Sequence, residues 1–182
     1  PEKHYLNAGS SLKSWLLTLD HKRIGLMYLY ALSTFFIVGM SLGLMIRLEL
    51  MNPGEQFIDA KTYNSFFTLH GVIMIFLFIV PGIPAILGNV ILPLQLGAED
   101  VAFPRLNLLS WYVYMAGAVM AVLSLFTAGG TPDTGWTFYA PYSLRSGTNI
   151  SLAVMAAFVL GFSSILTGMN FITTIHRLRA KG

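Results

Sequence analysis

Residues 62–98 read TYNSFFTLHGVIMIFLFIVPGIPAILGNVILPLQLGA, 37 positions without a lysine, arginine, aspartate or glutamate. A helix needs about 20 apolar residues to cross a bilayer, so this stretch spans one with residues to spare. Three more gaps share its character: 23 uncharged residues between Arg23 and Arg47, 27 between Arg105 and Asp133, and 31 between Arg145 and Arg177. Over its 182 residues the chain is 55% apolar and 10% charged, whereas soluble domains carry roughly a quarter charged residues. Mean hydropathy is +0.67. A soluble enzyme, a nucleic-acid module and a disordered tail are thereby excluded. The expectation is an all-α membrane protein with one transmembrane domain over 1–182, its four transmembrane helices at about 24–46, 65–96, 106–126 and 150–175.

Pro81-Gly82-Ile83-Pro84 interrupts the second span, and two missing backbone donors predict a kink there. The loop from Thr127 to Asn149 holds Gly129, Gly130, Pro132, Gly135 and Pro141. This density of turn residues, with Trp136, Tyr139 and Tyr142 among them, predicts an ordered cap at the outer interface. No cysteine is present, which leaves neither disulfides nor thiolate metal sites. No cleavable signal is expected, and Pro1 is compatible with a start after loss of an initiator methionine.

Four spans put both termini and the loop between spans two and three on one side. That side carries Lys3, Lys13, Lys22, Arg23, Arg105, Arg177, Arg179 and Lys181, against Arg47, Lys61 and Arg145 on the other. The positive-inside rule then places both termini in the cytoplasm.

His70 is the one histidine inside a span. It is either a satisfied polar group or a ligand, and an ionisable residue in a membrane span is functional by default. Neutral imidazole ligates heme iron well, and the flanking Phe66, Phe67, Gly71, Val72 and Ile73 offer an apolar slot. Asp100, just past span two, is either a solvated loop carboxylate or a proton collector at the mouth of a water-filled channel. Polar side chains at membrane depth (Asn89, Asn107, Ser163, Ser164, Asn170) can order such waters or simply hydrogen-bond neighbouring helices. At the far end of span one, Arg47 and Glu49 precede Asn52-Pro53-Gly54. They read as interface anchors and a turn, or as an oxygen donor for a hard cation. The nine methionines read as packing.

Several stretches carry a family resemblance. They are His21-Lys22-x-Ile24-Gly25-x-x-Tyr28, Arg47-x-Glu49-Leu50-x-x-Pro53-Gly54, and His70-Gly71 with Met74-Ile75-Phe76. The run from Gly88-Asn89 through Pro93-Leu94, Gly97-Ala98, Asp100 and Ala102-Phe103-Pro104-Arg105-x-Asn107 is the most specific. Thr134-Gly135-Trp136-Thr137-x-Tyr139-x-Pro141 and Ser163-Ser164-Ile165-Leu166-x-Gly168-x-Asn170-Phe171-Ile172-Thr173-Thr174-Ile175 complete the set. In this order they resemble subunit I of the heme-copper respiratory oxidases, the cytochrome c oxidases above all, over about Asp20 to Ala180.

The resemblance implies a bundle of about twelve membrane helices, four of them here. His70 would be an axial ligand of a low-spin heme (heme a), with Gly71 at the porphyrin edge. Arg47 would bond that heme's formyl group, and Trp136 would lie near the propionates of a second heme. Glu49 with Gly54 would border an outer cation site. Asp100 would open the D proton pathway, followed by Asn89, Asn107, Asn170, Ser163, Ser164 and Tyr28. Arg177, Arg179 and Lys181 would keep Asp100 ionised and draw protons to an exposed carboxylate. The second axial ligand, the ligands of the second heme and those of copper would come from the remainder of subunit I or a complementary chain. The expected activity is proton-translocating reduction of oxygen by cytochrome c in the plasma membrane, with subunits II and III and lipid as partners and no nucleic acid. The 182 residues by themselves are expected to be inactive. Quinol-oxidising relatives place a histidine and a glutamine shortly before the heme histidine, whereas Thr62 and Ser65 stand here. The alternatives are a quinol oxidase, or a four-helix accessory or transport protein on the same scaffold without redox chemistry.

Overall fold

The computed structural model describes residues 4–7, 9–127 and 129–180. Lys3 and Lys181, two of the cations counted in the charge asymmetry, lie outside them. A short helix α1 (Leu12–Leu16) precedes the first long one, α2 (His21–Glu49). Asp20 starts α2, its carboxylate accepting the amides of Lys22 at 2.8 Å and Arg23 at 3.3 Å. These are two of the donors that a helix start leaves unpaired.

The second span begins with α3 (Ala60–Val72), continues through π-helical stretches at Ile73–Ile79 and Gly82–Gly88, and ends as α4 (Asn89–Leu96). Pro81 and Pro84 withhold two N–H groups and crowd the preceding turns. Wider π turns absorb both without ending the helix, so the predicted interruption takes this form. Gly97, at φ 68°, terminates α4, and Ala98 N–H returns to Pro93 O at 2.9 Å. A left-handed glycine is the usual way to close such a cap. Helix α5 (Pro104–Leu123) starts on a proline, whose absent N–H costs nothing at that position, and tightens into a 3-10 turn at Ser124–Phe126. A one-turn α6 (Tyr142–Arg145) and the long α7 (Ser151–Leu178) follow.

Four helical segments have the length and composition to cross a membrane: His21–Glu49, Ala60–Leu96, Pro104–Phe126 and Ser151–Leu178. Each overlaps an expected span, and most run a few residues further. Backbone hydrogen bonding continues past the apolar boundary until a cap stops it. No strand occurs among the described residues.

Backbone contacts group the chain into two compact units. One comprises Pro1–Ala31, Val80–Met115 and Gly161–Gly182; the other comprises Leu32–Ile79 and Ala116–Leu160. The first buries polar groups, including His21, Arg23, Asn89, Asn107, Ser110, Ser163, Thr167, Asn170 and Thr174, beside Ile24, Tyr28 and Tyr114. Its Arg23 guanidinium fastens the N-terminal segment, donating to Tyr5 O at 2.5 Å, Ser14 Oγ at 2.9 Å and Gly9 O at 3.0 Å. The second unit is packed mainly by apolar and small residues, among them Leu32, Val72, Leu77, Ala118, Ala121, Ala153, Ala156 and Leu160. Gly117 lies so close to α7 that a Cβ there would come within 2.7 Å of Leu160 Cγ. Small residues at such seams let helices approach where no hydrophobic driving force separates protein from lipid.

The loop after span three is ordered in its described residues by hydrogen bonds. Gly135 N–H donates to Thr68 Oγ1 at 2.8 Å, and the Asp133 carboxylate accepts from Thr148 Oγ1 at 3.0 Å. Tyr139 and Tyr142 are exposed.

Candidate functional site

Two arrangements of polar side chains stand out, one in each unit. In the second unit, Gly39 and Gly43, one turn apart on α2, admit side chains of α3 and its π extension. A Cβ on Gly39 would reach 2.8 Å from Met74 Sδ, and one on Gly43 would reach 2.9 Å from His70 Cε1. The imidazole thus lies directly on α2, and its Nδ1 is 2.8 Å from Gly39 O. A carbonyl only accepts, so Nδ1 carries a proton, and in the neutral ring the lone pair is then on Nε2. This is the tautomer of a metal-ligating histidine steadied by a backbone carbonyl.

His70 borders a recess of about 300 Å³ with Phe67, Gly71, Met74, Ile75, Ile79 and Trp136. An imidazole with a directed lone pair beside an apolar and aromatic wall suits a flat, ligated, apolar group such as a heme. No cluster of three or more His, Asp or Glu able to hold a bare metal ion occurs among the described residues. Gly71 lines the same recess, beside His70. Its side-chain direction is covered by Trp136, whose Cδ1 and Cγ would lie 2.5 and 2.7 Å from an added Cβ. Gly71→Ala is therefore expected to displace Trp136 and cost about 1–3 kcal/mol. Thermal unfolding of the complex with tryptophan emission as the probe checks this; an unchanged midpoint and spectrum would show the ring free to move aside.

Of the remaining residues expected at this end, Arg47 is exposed. Glu49 is buried, and its carboxylate accepts the amides of Gln56 at 2.7 Å, Phe57 at 2.8 Å and Ile58 at 3.2 Å. Gly54, at φ 87°, gives the turn between them, and its carbonyl accepts from Gln56 Nε2 at 3.4 Å. The geometry gives Glu49 the task of folding this loop back on the end of α2.

In the first unit Asn89, Asn107, Tyr28 and Ser163, four of the residues expected on the proton pathway, are linked by hydrogen bonds, with Ser110 between them. Asn107 Nδ2 donates to Asn89 Oδ1 at 2.6 Å, and Asn89 Nδ2 donates to Ala85 O at 2.8 Å. Asn107 Oδ1 is buried with no partner. Such an acceptor is unfavourable unless something donates to it, and a water is the ordinary solution. Tyr28 OH lies 3.2 Å from Ser110 Oγ and 3.5 Å from Ser163 Oγ, and Ser163 Oγ donates to Ser110 O at 2.7 Å. Asn170 serves the loop before α5: its Oδ1 accepts Phe103 N–H at 2.9 Å and its Nδ2 donates to Phe103 O at 3.2 Å. Ser164 is exposed and does not join the set. Neighbours on a helix point about 100° apart, and here Ser163 is buried while Ser164 is exposed.

Asp100 corrects two expectations. It is half-buried, not exposed, and accepts Val101 N–H at 2.6 Å. Burial pushes its carboxyl above the usual carboxylate range, against the Val101 amide and His21, with Asp20 adding to the rise. Arg177 and Arg179 are exposed, and neither is among the charges acting on it. Lys181 is outside the described residues.

Ser110, Thr167, Thr174 and His21 are the members that sequence reasoning missed. A signal existed for three of them. Ser163, Thr167, Asn170 and Thr174 recur at helical spacing on one buried stripe of α7, and Ser110 lies three residues after Asn107 on α5.

Residues 23–182 match the family described as Cytochrome C and Quinol oxidase polypeptide I. The chain is similar to a probable cytochrome c oxidase subunit 1-beta of Nocardia farcinica, 44% identical over 177 residues that cover 96% of this chain and 30% of the relative. It is 42% identical to a cytochrome c oxidase subunit 1 of Bacillus subtilis over 175 residues, 96% of this chain and 28% of that protein. A probable quinol oxidase subunit 1 of Staphylococcus epidermidis is 43% identical over 169 residues, 92% of this chain and 25% of its own length. The chain thus spans less than a third of the length of these curated relatives.

Proposed function

Because the chain belongs to the Cytochrome C and Quinol oxidase polypeptide I family, a family of membrane helical bundles, we propose that it forms the part of a terminal oxidase that seats a low-spin heme and admits protons. The observation that carries this reading is His70, with Nδ1 fixed on Gly39 O and the imidazole bordering the apolar recess. Nε2 of His70 would ligate the iron, with Phe67, Gly71 and Met74 lining the recess beside it. The heme, when bound, supplies one-electron transfer. This chain orients the imidazole, keeps water from the apolar wall and carries protons on the polar set headed by Asp100. Protons would enter on the side holding both termini, the cytoplasmic side of the plasma membrane. A second axial ligand, the oxygen-binding heme and copper would be held by polypeptide outside these residues, with subunits II and III in the assembly. Reduction of one dioxygen consumes four electrons and four protons and yields two waters.

Cytochrome c is the proposed electron donor. Thr62 Oγ1 is committed to Asp59 Oδ1 at 2.5 Å, and Ser65 Oγ reaches Thr131 O at 3.4 Å. Both hydroxyls donate elsewhere and keep only acceptor capacity, and no imidazole or carboxamide stands at either position. The similar identity to a quinol oxidase subunit keeps a second reading in view. The purified complex carrying this chain is expected to consume oxygen with reduced cytochrome c, to acidify the outside of reconstituted vesicles, and to lack steady turnover with ubiquinol alone. Ubiquinol turnover without cytochrome c would reverse the donor assignment. Absence of oxygen uptake with either donor would overturn the oxidase reading.

A further inference from the structure

Pro93 sits inside α4, buried and without an N–H, so the carbonyl four residues before it has lost its helical donor. That carbonyl belongs to Asn89, whose side chain pairs with Asn107. A donor comes instead from another helix: His21 Nδ1 lies 2.5 Å from Asn89 O. Since the carbonyl only accepts, the imidazole donates. His21 is the first residue of α2 and is 4% exposed, which an ordinary solvated histidine at a helix start would not be. Gly25, one turn on, makes this approach possible, because a Cβ there would come within 3.0 Å of Val90 Cγ2 and 3.4 Å of Asn89 Cβ.

We propose that His21 is a positioning residue for the buried asparagine pair, latching α2 to α4 through the carbonyl that Pro93 leaves without a partner. With the Asn89 backbone held, its side chain keeps Nδ2 on Ala85 O and Oδ1 on Asn107 Nδ2, and Asn107 Oδ1 is left turned away as an open acceptor. The functional half of this inference rests on the reading of that pair as part of a proton route. The latch itself does not.

The experiment is a cycle in the assembled complex with His21→Ala, His21→Asn, Pro93→Ala and the double variant His21→Ala/Pro93→Ala. Loss of the donor leaves a buried carbonyl unpaired, so oxygen uptake in His21→Ala is expected to fall about tenfold with heme content and spectra unchanged. The amide N–H of asparagine can occupy the place of Nδ1–H, so His21→Asn is expected to recover most of the rate. Pro93→Ala returns a helical N–H to Asn89 O, so the double variant is expected to turn over several-fold faster than His21→Ala. A His21→Asn as slow as His21→Ala would overturn the proposal in favour of a titrating role for the imidazole. A double variant as slow as His21→Ala, or slower, would overturn it by showing that the carbonyl is not the point of contact. Thermal midpoints of the same complexes decide the latch even if the wild type has no oxidase activity, in which case the functional reading fails separately. His21→Ala should lower the midpoint by about 2–4 °C and the double variant should regain it. Additive losses would sink the latch.

Discussion

His70→Ala is expected to remove the low-spin heme band from the reduced-minus-oxidised spectrum of the assembled complex and, with it, electron delivery to oxygen. The methyl group that remains has no lone pair for iron, and no other histidine lies inside a span. Gly43→Ala is the informative companion. It leaves the ligand in place but sets a Cβ 2.9 Å from Cε1 and 3.1 Å from Nδ1 of His70, so the ring must turn and strain its bond to Gly39 O. Outer contacts of this kind typically change affinity about 10- to 100-fold. Gly43→Ala should therefore keep a displaced low-spin band and lose heme faster in detergent, while His70→Ala shows none. A wild-type band in His70→Ala would remove the ligand assignment. Unchanged heme retention in Gly43→Ala would show that the seat of the ring on α2 is not what orients it.

Asp100→Asn should cut oxygen uptake about a hundredfold, the scale of a lost proton-transfer group, and proton release with it, while both heme spectra stay normal. Asparagine matches the carboxylate in shape and can still accept Val101 N–H, but it cannot relay a proton. The half-buried setting strengthens the expectation. A carboxyl raised above its usual range by burial holds its proton more readily at neutral pH than a free one does. Asn107→Asp tests the next position. A carboxyl there would be fully buried against Asn89 Oδ1, an acceptor to which only its protonated form can donate. The new carboxyl changes proton transfer further in, so vesicles should lose proton pumping while oxygen uptake persists. Wild-type uptake and pumping in Asp100→Asn would return Asp100 to a solvated loop carboxylate.

Both experiments use residues that could be named before any fold was known. His70 and Asp100 are conspicuous because a charge or an imidazole within or beside a 37-residue uncharged stretch is costly there. Their surroundings were less legible. Exposed cations near the C-terminus looked like the partners of Asp100, yet His21 and Asp20 are the charges that act on it. Sequence separation is a poor guide to distance once four helices are packed. Ser163 and Ser164 looked equivalent, yet the helix turns one inward and the other out. Ser110 looked like any small residue in an apolar span, yet it joins Tyr28, Ser163 and Asn107.

The amino-acid sequence by itself determined the class of this protein, its four spans, the glycine and proline breaks between them and the family to which it belongs. Those properties are sums along the chain: how many apolar residues in a row, where charge stops, which residue types recur in order. The tertiary structure alone decided that the Pro81–Pro84 break is a π-helical passage, that Trp136 covers Gly71, and that Asn89 O is satisfied from another helix. It also decided which polar side chains share an interior. In a soluble helix the polar face announces itself against water. In these spans nearly every position is apolar, so the inward face is set by small residues, caps and unpaired carbonyls meeting partners far away in the chain, and those meetings exist only once the helices have packed.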